Sequence, residues 1–148
     1  MSRESVLYLL LVLAPFLAPF VVLGAAVELV RRARAGLPGS GWRRPGVTTC
    51  VLVAVLAGAA ALGAHAWGVM SGFYVLDPDQ LCAGRGAPGD RIVTRETPPV
   101  SVRCVTPDGR GTELVPGWVN PVVFTGLALC ALALGTGALT VVRRVLRR

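Results

Sequence analysis

The chain contains no lysine: all 15 of its basic residues are arginine. It has a single histidine, His65, and only eight acidic residues. None of its four cysteines stands in a Cys-x-x-Cys pair, and no Gly-Lys-Ser or Gly-Lys-Thr occurs. Each scarcity narrows the function. A thiol-redox centre needs the paired cysteines, a nucleoside-triphosphate loop needs the Gly-Lys pair, and a lone histidine makes a poor metal site. No catalytic set, cofactor motif or metal-ligand cluster emerges, so the reading is non-enzymatic. Arginine without lysine, beside abundant Ala, Gly and Pro, fits the codon usage of a GC-rich genome.

What the sequence has in quantity is apolar residues, 53% of 148. They fall into three long blocks rather than short periodic segments, and a bilayer requires runs of about 20 such residues. The net charge of +7 does not point to nucleic acid, because the arginines cluster at the ends of these blocks. That placement fits the positive-inside rule. The expected fold is therefore an all-α membrane protein with three transmembrane helices and a small β-rich, disulfide-bridged extracytoplasmic loop. The expected segments are a first span over 5–30, a cytoplasmic loop over 31–46 and a second span over 47–70. An extracytoplasmic cap over 71–118, a third span over 119–142 and a cytoplasmic tail over 143–148 complete the chain.

The first block is too long for a cleaved signal, and its positive charge follows the apolar run instead of preceding it. Ser2 is placed to cap it and Glu4 suits its first turn. Pro15 and Pro19 lie one turn apart inside it and predict a kink, read as a fixed bend or, alternatively, as a hinge or an ion site. Glu28 lies three and four residues before Arg31 and Arg32, the spacing of helix ion pairs. A local salt bridge competes there with a proton or substrate role. The loop that follows holds five arginines and no acid, with Trp42 suited to the inner interface.

The second block is rich in alanine and glycine, with small residues four apart, which predicts the packed centre of the bundle. His65 near its outer end suits an interfacial hydrogen bond, with pH sensing or chemistry as sharper alternatives. Gly72 reads as the helix stop, Phe73 and Tyr74 as interfacial residues, and Asp77-Pro78-Asp79 as a turn rather than a calcium loop.

Cys82 and Cys104 both fall in the polar segment, on the oxidising side, and predict a structural disulfide. Closing that loop is worth about 3 kcal/mol in the chain-entropy account. Arg91–Arg95, Val100–Val105 and Thr112–Val115 read as strands, with a turn at Pro107-Asp108-Gly109. Trp118 suits the outer interface. Asn120 is expected to cap the third helix with Pro121 at its first position, and Gly126, Gly135 and Gly137 to give it close-packing faces. Cys50 and Cys130 sit at different depths, so a bridge between them is not expected; both read as small apolar fillers. With the N-terminus outside and the C-terminus cytoplasmic, every arginine cluster lies inside.

The stretch from Cys104 to Pro121, CVTPDGRGTELVPGWVNP, resembles a segment of small uncharacterised multi-pass membrane proteins of actinobacteria. That resemblance covers the second half of the cap and the entry to the third span. It implies a bacterial plasma membrane protein and carries over no site residues. The functional expectation is an accessory or interaction protein whose cap meets a membrane protein partner or another copy of itself. The alternative is an oligomeric transporter or pore subunit using Glu28, His65, Pro15 and Pro19.

Overall fold

The computed structural model describes the backbone of residues 3–35, 46–72 and 77–147, and the side chains of all of these except 3–12, 14 and 15. The proposed roles of Ser2, Trp42, Phe73 and Tyr74, and the side chains of Glu4 and Pro15, lie outside these described residues. The order of elements is α1 (Arg3–Ala35), α2 (Val47–Met70), α3 (Pro78–Gly84), β1 (Arg91–Arg95), β2 (Ser101–Val105), β3 (Gly111–Glu113) and α4 (Val119–Val145). The chain is thus mostly helical with one small sheet. Among the described residues, α2 and α4 are long and apolar enough to cross a membrane. Only 28% and 22% of their apolar windows are buried within the chain, so neither is a core helix hidden by its neighbours.

The buried residues of α2 are Cys50, Ala54, Ala57, Ala61, Ala64, Ala66 and Gly68. All but Ala66 follow an alternating step of four and three. Val119, Val123, Gly126, Ala133 and Gly137, buried in α4, follow the same step once Cys130 is included. This is the 3.5-residue period of supercoiled helix pairs, written here in small side chains. The two helices run antiparallel. Gly68 meets Val119, Gly126 meets Ala61, Gly58 meets Cys130 and Gly137 meets Cys50, so position rises along one helix as it falls along the other.

The first helix packs on a neighbouring face of α2, where Gly63 faces Ala18. Parallel packing about that contact would make residues 36–46 span roughly 50 Å at 1.5 Å per helical residue. A connection of that length reaches roughly 40 Å when fully extended, so α1 is also antiparallel to α2. Arg31, Arg32 and Arg34 of α1 therefore share one end of the bundle with Arg143, Arg144 and Arg147 at the end of α4. The sheet stands at the other end.

The three strands form an antiparallel sheet in the order β1-β2-β3. Alternation gives it two unlike faces. Val102 and Cys104 are fully buried and Ile92 is partly so, while Val93, Arg95, Arg103 and Glu113 are exposed. The buried face packs on the helices: Val100, Val102 and Val115 join Ala64 of α2 and Val119 and Val123 of α4 in one core. Cys82, Ala87 and Cys104 form a second cluster, and Ile92 and Leu114 belong to both. Cys82 and Cys104 are joined as a disulfide with both residues fully buried.

The hairpin between β2 and β3 turns through Thr106-Pro107-Asp108-Gly109, with the Gly109 N–H bonded to the Thr106 carbonyl. Gly109 has φ of 80°, a conformation that glycine adopts without steric cost.

Several local expectations are corrected. Asp77-Pro78-Asp79 opens the short helix α3 instead of a turn, with Asp77 at the N-cap position and Pro78 in the first turn. There its missing N–H removes no helical hydrogen bond. α2 ends at Met70 with Ser71 at its C-cap, so Gly72 follows the cap directly, at the expected stop; the Ser71 hydroxyl donates to the Trp67 carbonyl at 3.0 Å, and Gly72 lies against Val102. Asn120 does not cap α4, whose N-cap position is Trp118, so Pro121 falls at the third helical position. The third strand is Gly111–Glu113 rather than 112–115. α1 extends well past residue 30, so Arg31, Arg32 and Arg34 are helical.

Candidate functional site

The exposed face of the sheet forms one wall of a cleft of about 330 Å³. Val93 and Arg95 of β1, Ser101 and Arg103 of β2 and Glu113 of β3 line that wall. Strand register brings them together, since Arg95 is opposite Ser101, Val93 opposite Arg103, and Arg103 opposite Glu113. Pro116, Gly117 and Asn120, at the entry to α4, close the other side.

Glu113 is the most heavily bonded side chain in this cleft. It accepts from Ser101 Oγ at 2.6 Å, the Val102 N–H at 2.7 Å, Arg103 Nε at 3.1 Å and the Val115 N–H at 3.4 Å. Partial burial pushes its carboxyl up, but these four donors outweigh that and hold it below its ordinary value. Asn120 is bonded through both ends of its amide. Its Oδ1 accepts from the Val100 N–H at 2.8 Å, and its Nδ2 donates to the Val100 carbonyl at 2.9 Å. This pair fastens the loop before β2 to the first turn of α4, supplying both hydrogen bonds that Val100 would otherwise lack.

The residues singled out from sequence are scattered. Glu28 is paired with Arg32 Nε at 2.8 Å and Arg31 Nη1 at 3.4 Å, which is the local salt bridge and leaves its carboxylate engaged. The α1 backbone is helical through Pro15 and Pro19. Pro19 lines a separate apolar groove with Ala18, Val22, Gly63, Trp67 and Trp118. His65 is partly exposed, and its Nδ1 is buried without a partner among the described residues. Cys50 and Cys130 are free thiols, and Cys50 Sγ lies 3.5 Å from Thr136 Oγ1. Among the described residues, no group of three or more His, Cys, Asp or Glu side chains is arranged to hold a metal ion.

Sequence reasoning missed the cleft. Glu113 and Asn120 are ordinary polar residues in the chain, and only the pairing of β2 with β3 aims three donors of β2 at one carboxylate, beside the local Val115 N–H. The fold and cleft define a class: a helical chain with two membrane-length helices and a disulfide-bridged β-cap fused to them. In comparisons with known proteins, no family model, no curated protein and no solved structure matches the chain.

Proposed function

We propose that the chain is a three-span bacterial plasma membrane protein, N-terminus outside and C-terminus cytoplasmic, that presents its cap to a protein partner. The role is non-enzymatic and accessory, and the partner is another membrane protein or a second copy of the chain. The observation that carries it is the core shared by cap and helices. Val100, Val102 and Val115 pack directly on Ala64, Val119 and Val123, so the cap is a fixed platform and not a tethered loop. A rigid, preorganised surface loses little ordering entropy on binding.

The membrane placement has three supports. Two helices have spanning length with mostly unburied apolar surface. Phe16, Phe20 and Leu23 leave α1 apolar on its outside as well. The arginines of α1 and α4 collect at the end opposite the cap, the side that stays in the cytoplasm.

Purification from native membranes in mild detergent, followed by mass measurement, tests the reading. A stoichiometric partner that is lost when Cys82 and Cys104 are both replaced by Ser is the expected result. A monomer with no companion overturns it. One observation favours the alternative of an oligomeric pore or transporter: the buried, unpartnered Nδ1 of His65, a polar atom that a water-lined path would satisfy. Several copies per particle, with a transport defect in His65→Ala, would move the assignment there.

A further inference from the structure

We infer that the cleft beside Arg95 and Arg103 binds a phosphate-type oxyanion. Of the polar side chains lining it, Ser101 donates to Glu113, and Asn120 commits its amide oxygen and one of its two N–H groups to Val100, so its second N–H adds to the donors of the cleft. The guanidinium groups supply most of the remaining donors. Arg103 commits only Nε, to Glu113, and Arg95 makes no ion pair or side-chain hydrogen bond among the described residues. Register sets the two arginines on a sheet diagonal, since Arg95 faces Ser101, two residues before Arg103. Such positions are roughly 7–8 Å apart, within reach of long side chains converging on one group.

The unfilled hydrogen-bonding capacity is therefore donor in kind and planar in geometry, which suits two oxygens of a single anion. Glu113 takes only Nε of Arg103, and its carboxylate offsets one of the two positive charges, leaving the cleft net positive through Arg95. Gly117, one residue before the Trp118 cap, and Asn120, in the first turn of the long helix α4, open on the same space; its dipole adds positive potential there. The rest of the lining is Val93, Pro99, Val100, Val115 and Pro116, which lowers the local dielectric and strengthens the charge–charge attraction.

Trp118 borders the cleft residues in sequence and is half exposed. On the membrane reading above, on which this step rests, it sits at headgroup level. The phosphate can then come from an anionic phospholipid or from a soluble phosphate.

The full chain in non-ionic detergent distinguishes these. One arm titrates inorganic phosphate and follows heat; the other adds phosphatidylglycerol or phosphatidylcholine and counts bound lipid by native mass spectrometry. The expected result is saturable binding of inorganic phosphate, or of phosphatidylglycerol over phosphatidylcholine. The responding arm identifies the source. Arg95→Gln should weaken it at least about tenfold, the loss of a charge-assisted hydrogen bond. Arg110→Gln makes the same charge change on the hairpin outside the cleft and should leave binding unchanged.

No binding in either arm, or equal weakening by both substitutions, overturns the site. Because Arg95 is exposed and makes no side-chain bond among the described residues, its replacement should leave the fold intact, which near-ultraviolet circular dichroism checks. The membrane reading is tested apart, by labelling Arg110→Cys in intact cells with a membrane-impermeant maleimide. Labelling without phosphate binding would overturn this inference alone.

Discussion

Glu113 and Asn120 each use one side chain to satisfy backbone that has no ladder partner. Glu113 extends the pairing of β2 by accepting the Val102 N–H, and Asn120 pairs with both polar groups of Val100. Neither role was legible in the sequence. Asn-Pro before an apolar run is a strong local signal for a helix start, so Asn120 was expected at the cap. A partner twenty residues away won instead. The disulfide was legible, because two cysteines in one oxidised polar segment leave few choices, and so was the Glu28 ion pair, because its partners lie within one helical turn. Glu113 carries a pH prediction. Its folded carboxyl lies below the ordinary 4.5, so the folded state favours the ionised form. The resulting stabilisation is fully present above the ordinary value and is lost as pH falls through the folded one. Exposure of the side chain keeps the effect small. Cap unfolding measured from pH 7 to 3 should show an acid-side loss in the wild-type chain that is smaller in Glu113→Gln. Identical acid profiles would remove the carboxylate from this role.

At the scale of elements, the long helices were legible and their seam was only half so. Alanine is so frequent in α2 that several spacings fit equally well, and pairs four apart suggested close packing without a partner. The alternating four-and-three step becomes visible only when α4 supplies its own copy in reverse order. The seven-residue helix α3 was missed because Asp-Pro-Asp signals a turn and a helix start equally well. Fully buried Cys82, bonded to β2, tips the balance. The strands were legible within one or two residues, since one of their faces is apolar and the other charged. The seam makes a contrast testable. A Cβ on Gly126 would lie 2.7 Å from the Ala57 carbonyl oxygen and 2.8 Å from Ala61 Cβ, whereas one on Gly135 meets nothing within 4 Å. Gly126→Val should destabilise the chain by about 1–3 kcal/mol through overpacking. Gly135→Ala should be neutral or stabilising by up to about 1 kcal/mol, from helix propensity. Thermal unfolding in detergent reads both, and equal melting temperatures would mean that the α2–α4 seam is wrongly drawn.

At the scale of the whole molecule, the cap and the bundle share one hydrophobic core, and the disulfide lies at its far end. Ile92 and Leu114 connect the bridge cluster to Val100, Val102 and Val119, which rest on Ala64 of α2. Loss of the bridge should therefore spread along this path and fade with distance. Replacing Cys82 and Cys104 together with Ala should cost about 2–5 kcal/mol, of which the chain-entropy account supplies about 3 kcal/mol, enough to undo a cap with so small a core. Trypsin should then cut rapidly at Arg91, Arg95 and Arg103. Amide exchange should rise at the entry to α4, where Val119 and Asn120 lose their partners. The opposite end of the seam, where Cys50 meets Gly137, depends only on helix–helix contact, so Cys50 should stay as resistant to maleimide as in the bridged chain. A cap that stays resistant to trypsin without its bridge would mean that the valine core alone holds it. Exposure of Cys50 in the same variant would mean that cap and helices unfold as a single unit, and that the platform is needed to keep α2 and α4 together.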